Sequence, residues 1–210
     1  TMNPEFELGI YGGTFAPAHR GHLRAAADFL RTCSLDRLLI MPTAIPPHKQ
    51  ICFDDAPLHR LEMAKLAFAA FPEYGTRVQV SDFEIAAGDR SYTYRTLEHF
   101  KQPGVHLTFL CGTDMFLSLD TWRYPDRIFA LSAIAVARRE ASDPALEREI
   151  VEKAAYYREH FHAEIVPIPG EAISISSTEI RRRVACGEST EDVLPPSVRS
   201  YIDAHRLYRK

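Results

Sequence analysis

The stretch GIYGGTFAPAHRGHLRAA, Gly9 to Ala26, holds the side chains with the clearest chemical capacity. His19 and His22 stand three residues apart where an apolar run gives way to a helix-period segment, so both rings fall on one face of the first helical turn. The unpaired amides and positive dipole end of such a turn favour an anion, a phosphate above all. Gly12 and Gly13 let the backbone turn sharply after a strand and leave no side chain between main chain and ligand. Two ring donors, a helix N-terminus and a bare backbone are equipment for stabilising charge on a phosphate. A metal would need a third Cys, His or carboxylate at ligand spacing, and none lies near the HxxH pair.

A frame must hold these groups, and the rest of the sequence reads as one. Short apolar runs at 8–11, 37–41, 77–81, 106–111, 133–137 and 164–168 alternate with helix-period segments, the pattern of a parallel sheet covered by helices. Leu23, Ala26, Ala27 and Leu30 give the first helix an apolar stripe, and Leu58, Leu61, Ala64, Phe68 and Phe71 give the second one. The fold class is therefore α/β, a doubly wound parallel sheet. Ligands bind such sheets beyond the carboxyl ends of the strands. Segments 42–57 and 82–91 and the approach to Ser174 follow strands, fit neither strand nor helix, and are the expected site walls. The tail DVLPPSVRSYIDAHRLYRK reads as a short turn and a closing helix, so residues 2–210 form one expected domain with a small helical portion over about 171–210.

Composition excludes several classes. With 210 residues, 46 % of them hydrophobic, the chain can bury one sizeable core. A formal charge of -3 argues against an extended nucleic-acid or anionic-membrane surface, and the local cluster in TEIRRRV suits a small anion better than a duplex. No apolar run approaches the roughly 20 residues of a membrane helix. Cys33, Cys52, Cys111 and Cys186 are scattered without CxxC pairing and no leader precedes the first strand, so reduced thiols in the cytoplasm are expected. A homo-oligomer is compatible with the sequence.

GGTFAPAHRGH resembles the signature of the nucleotidyltransferase superfamily that shares its HxGH element with class I aminoacyl-tRNA synthetases. Within it, PTAIPPHK, RSYTYRTL, CGTDMFLSLDTW and ISISSTEIRRRV, in that order over the whole chain, are similar to bacterial nicotinate-nucleotide adenylyltransferases. The resemblance implies a Rossmann-like fold and a reaction joining ATP to nicotinate mononucleotide, with Mg²⁺ accompanying ATP, to give nicotinate adenine dinucleotide and pyrophosphate. Ala16 departs from the family's usual Asp or Asn and Ala18 from a bulkier residue, so a bracing contact at the head of the helix is expected to be missing. A related transferase with another acceptor, such as phosphopantetheine, and a nucleotide-binding regulatory module without turnover are the alternatives.

The attacking phosphate is already an anion, so the chemistry calls for positioning and preorganised cations rather than a general base. His19, His22 and Arg181 are the expected catalytic residues, with ATP also held by Gly12, Gly13, Thr14 and Phe15. Ser177 or Thr178 can cap a helix whose free amides face the β- and γ-phosphates, and Arg181 returns to that face one turn later. Arg182 and Arg183 lie about 100° and 200° further round and share the site less. Gly112 permits close approach, and Asp114 can accept from ribose hydroxyls or cap the next helix. For nicotinate mononucleotide, the resemblance implies His48 and Lys49 as a phosphate clamp and Trp122 and the Arg123 amide around the pyridine ring. Ser91, Tyr92 and Thr93 form a helix entrance, with Ser91 or Thr93 near the cap, whose amides suit a carboxylate better than an amide.

Overall fold

The computed structural model describes residues 5–45, 56–137, 143–170 and 174–209. Six strands form one parallel sheet: β1 (Phe6–Gly13), β2 (Arg37–Pro42), β3 (Val78–Val80), β4 (Val105–Gly112), β5 (Ala133–Ala137) and β6 (Ile165–Pro167). Each coincides with an apolar run expected from the sequence. The order is β3-β2-β1-β4-β5-β6, so the chain leaves β1 toward one edge and later returns to its other side as β4. That reversal makes the carboxyl ends of β1 and β4 the switch point at which open α/β sheets bind ligands.

Period-two alternation explains why the sheet is covered twice. Leu8 and Ile10 of β1, Leu39 and Met41 of β2, and Phe109 and Cys111 of β4 face one core, while Tyr11, Leu38, Ile40 and Leu110 face the other. Onto the second face pack α1 (Arg20–Thr32), α2 (Pro57–Phe68), α8 (Ser177–Ala185) and α9 (Pro196–His205). The first is covered by α4 (Thr93–Phe100), α5 (Thr113–Ser118), α6 (Pro125–Leu131) and α7 (Pro144–Phe161). Ile180 of α8 and Val198 and Ile202 of α9 share a core with Ala26 and Phe29 of α1.

Two apolar stripes sit differently from the expected ones. In α1 the buried face is Ala25, Ala26, Phe29 and Leu30, and Ala27 is exposed. Alanines at three consecutive positions mark no face by themselves, and the Phe29 ring decides the phase. In α2, Leu58 is 65 % exposed and Phe71 lies beyond the helix end, while Met63 and Ala67 are buried. Segment 82–91, expected to be irregular, contains the short helix α3 (Phe83–Ala87), closed by Gly88 at φ 73°. No helix among the described residues is long and apolar enough to cross a membrane.

Candidate active site

Gly12 and Gly13 do not make the expected turn. They continue β1 in register with Met41 and Pro42. A Cβ on Gly12 would stand 3.0 Å from the Phe109 ring, which would have to give by a few tenths of an ångström to admit it. The chain turns at Phe15, at φ 51°, an uncommon conformation for a bulky side chain. Its ring is buried against Tyr11 at 5.3 Å, His22 at 4.8 Å and Phe68 at 6.2 Å between centroids. Phe15 thus supports the histidine from below, and what remains of it for a nucleotide is main chain. Thr14 begins the same loop.

His19 is the N-cap of α1. Its Nδ1 accepts from the amides of Gly21 at 3.0 Å and His22 at 3.3 Å, while Nδ1 of His22 accepts from the His19 amide at 3.1 Å. This is a capping box built from two imidazoles. Both Nδ1 atoms act as acceptors, which leaves the ring proton of each on Nε2. The rings stack with centroids 3.7 Å apart and are 1 % and 4 % exposed. The box also overturns the expectation that first-turn amides of α1 await a phosphate: Gly21 and His22 donate to His19, and the Arg20 amide donates to Val193 O at 2.9 Å. Nε2 of His19 is itself buried.

Helix α8 abuts the same loop. The Ser177 hydroxyl donates to Pro17 O at 3.1 Å, and Arg181 donates to Ala16 O at 2.7 Å and to Thr178 Oγ1 at 3.2 Å. The loop is braced through its main chain, by the Arg181 bond to the Ala16 carbonyl, and Ala18 is fully buried. Ser176, rather than Ser177 or Thr178, caps the helix, accepting from the Glu179 amide at 3.1 Å. The S-x-x-E spacing from Ser176 to Glu179 is a capping-box pattern that reading the three hydroxyls singly overlooks. Ser177 and Thr178 consequently occupy the first turn, and their amides make no hydrogen bond among the described residues. Arg182 bonds Glu179 and Glu188, and Arg183 bonds Asp192. Hydrogen bonding from Arg182 pulls the Glu179 carboxyl down to about 2.

At the end of β4, Gly112 caps α5, and Asp114 is exposed in its first turn rather than at the cap. Ser118, one turn on, accepts from Trp122 Nε1 at 3.4 Å, and Trp122 is half-buried. The Arg123 guanidinium stands 6.0 Å from the Tyr92 ring centre, which brings the Trp122 segment beside the helix entrance of α4. Tyr92 is the N-cap of α4, Thr93 its first residue, and neither Ser91 nor Thr93 caps it. The buried Ser91 hydroxyl instead accepts from the Ala44 amide at 2.9 Å, fastening this entrance to the segment after β2. His48 and Lys49 lie outside the described residues.

One cation escaped the sequence reading. Arg60 of α2 is 1 % exposed and donates to the carbonyls of Thr14, Thr43 and Ala44. Nothing in LHRLEMAKL separates it from an ordinary surface arginine. Among the described residues, no group of three or more His, Cys, Asp or Glu could hold a metal ion.

The cytidylyltransferase-like family model matches residues 10–183. The chain is 36 % identical over 203 residues to a Clostridium botulinum (strain Loch Maree / Type A3) protein named "Probable nicotinate-nucleotide adenylyltransferase", covering 95 % of this chain and 98 % of the relative. A protein of the same name from Desulfatibacillum aliphaticivorans is 36 % identical over 219 residues, covering 96 % and 99 %. Among solved structures, Plasmodium falciparum nicotinic acid mononucleotide adenylyltransferase complexed with NaAD is similar, with a TM-score of 0.75, 18 % identity, and coverage of 96 % of this chain and 97 % of that one. At that identity the likeness is one of fold.

Proposed function

The chain belongs to the cytidylyltransferase-like nucleotidyltransferases and, among them, to the nicotinate-nucleotide adenylyltransferase family, and from that premise we propose that it transfers the adenylyl group of ATP to nicotinate mononucleotide in NAD biosynthesis. The observation that carries the reading into this chain's own atoms is the paired capping of α1. With both Nδ1 atoms accepting from backbone amides, each neutral ring of His19 and His22 carries its proton on Nε2 and is fixed in orientation before any substrate arrives.

In this reaction a phosphate oxygen of the mononucleotide forms a bond to the α-phosphorus of ATP, the Pα–O–Pβ bond breaks, and pyrophosphate leaves with its electron pair. No proton must be removed to make the nucleophile. His22 donates to the α-phosphate as charge builds there, and His19 holds the ring stack and the turn. The amides of Ser177 and Thr178 receive the β- and γ-phosphates, with the Arg181 charge beside the departing pyrophosphate. Asp114 accepts from the ribose, and Gly112 leaves room for it. On the acceptor side, Trp122 stacks on the pyridine ring, while amides at Ser91, Tyr92, Thr93 and Arg123 suit its carboxylate. His48 and Lys49 meet the mononucleotide phosphate. Mg²⁺ travels with ATP on phosphate oxygens and water. The reading carries a cytoplasmic location with it.

Pyrophosphate release from ATP and Mg²⁺, with nicotinate mononucleotide compared against nicotinamide mononucleotide at matched concentrations, tests the proposal. Fast release with the acid and little with the amide is expected. Release only with phosphopantetheine would replace the acceptor, and ATP binding without release from any acceptor would mark a regulatory module.

A further inference from the structure

Arg60 lies on α2, in no segment to which a substrate is assigned above, yet its guanidinium joins two loops. One nitrogen donates to Thr14 O at 2.9 Å and Thr43 O at 2.6 Å, and the other to Ala44 O at 2.8 Å. Thr14 belongs to the loop that leads from β1 to His19, and Thr43 and Ala44 follow β2. The Thr43 amide donates to Gly13 O at 2.9 Å, so the loops also touch directly. From Ala44 the connection continues to the acceptor side: its amide meets the Ser91 hydroxyl at 2.9 Å, and the Ser91 amide donates to Ile45 O at 3.1 Å. One side chain thus stands at the junction of the ATP loop and the route to the nicotinate entrance.

Burying a guanidinium is costly unless its N–H groups are met, and apolar residues could fill this volume instead. Leu61, Met63, Ala64 and Phe68 already pack α2 onto the core. What arginine adds is a planar fork that fixes the spacing of its acceptors, which a single ammonium cannot do. We propose that Arg60 is a positioning residue that sets the distance between the ATP loop and the acceptor segment, bringing two bound substrates to reacting separation. The inference rests on the adenylyl-transfer reading for its substrates.

R60K keeps the charge and loses the fork. R60M removes the charge and the donors to all three carbonyls while keeping a long apolar side chain. Both variants would be compared with the wild type for kcat, KM, equilibrium binding of ATP alone and of nicotinate mononucleotide alone, and hydrogen exchange at 12–19 and 43–45. A misplacement of about 1 Å corresponds to about a hundredfold loss of rate, so kcat should fall by about that factor. Single-substrate dissociation constants should stay within about threefold, because each half-site is intact, and exchange should quicken in both loops together. Unchanged kcat with unchanged exchange overturns the assignment. So does a loss confined to single-substrate binding, or failure of both variants to fold at the assay temperature, which would make Arg60 a residue of the fold at large. A wild type that releases no pyrophosphate refutes the adenylyl-transfer reading instead, and exchange in the two loops still decides whether Arg60 couples them.

Discussion

Glu84 should make the protein less stable as pH rises through the slightly acid range, and Glu84→Gln should remove that loss. Its side chain sits on α3 at 7 % exposure, with Oε1 accepting from the Thr96 hydroxyl of α4 at 2.7 Å and Oε2 without a partner among the described residues. Burial pushes the carboxyl up from an ordinary 4.5 to about 7, against the opposing pull of the Thr96 hydrogen bond. Between those two values the folded chain holds a proton that the unfolded chain has released, so stability falls with rising pH and levels off above about 7. At about 1.4 kcal/mol per pH unit, the interval corresponds to a loss on the order of 3 kcal/mol. Glutamine keeps the acceptor for Thr96 and cannot ionise. Urea unfolding of both proteins, followed by circular dichroism and by fluorescence of Trp122, the single tryptophan, would be measured from pH 4.5 to 8.5. The variant should gain on the wild type steadily up to pH 7 and hold a constant lead beyond it. Other titrating groups cancel in the difference. A difference that stays flat over the whole range would refute the argument.

His22→Ala should lower kcat by about a hundredfold or more with folding retained, the effect of removing one preorganised donor; near-normal turnover in pyrophosphate release would take His22 out of the mechanism. His106 bridges Glu7 at 2.8 Å and Glu164 at 3.1 Å. Burial works against its charge, but the hydrogen bonds and charges of both carboxylates prevail and hold its pKa above the ordinary 6.5. The stability it adds is complete below pH 6.5 and is lost as pH rises through the raised value, so thermal melts of His106→Gln should lack that decline, and a decline equal to the wild type's would disprove the role. Gly9→Ala would drive a methyl group into Leu35 Cδ1 and to 2.9 Å from the Phe29 ring. Overpacking of this kind costs about 1–3 kcal/mol, read as a lower denaturation midpoint with unchanged slope.

The inner strands were legible because a strand buried on both faces is a short apolar run, whereas the edge strands β3 and β6 are three residues each, only part-buried, and marked by their valines and isoleucine. Helix phase was less so. Ala25, Ala26 and Ala27 are chemically alike, and only the Phe29 ring reveals which of them face the sheet. Helix α3, five residues long, is too short to display a period. The HxGH pair was found by type and spacing, yet its use of Nδ1 as a helix cap was not, since histidine is not among the usual capping residues. Arg60 was invisible for another reason. Its acceptors are carbonyls 16, 17 and 46 positions away, and carbonyls carry no sequence.

The segments that brace the histidine turn lie far along the chain from it. The loop before His19 is held by Ser177 and Arg181, and the first amide of α1 finds its acceptor at Val193. On the ribosome, β1 and α1 emerge more than 140 residues before those partners do. A nascent chain can therefore lay down most of its sheet while the histidine turn is still unbraced. The histidine turn is synthesised well before the segments that lock it.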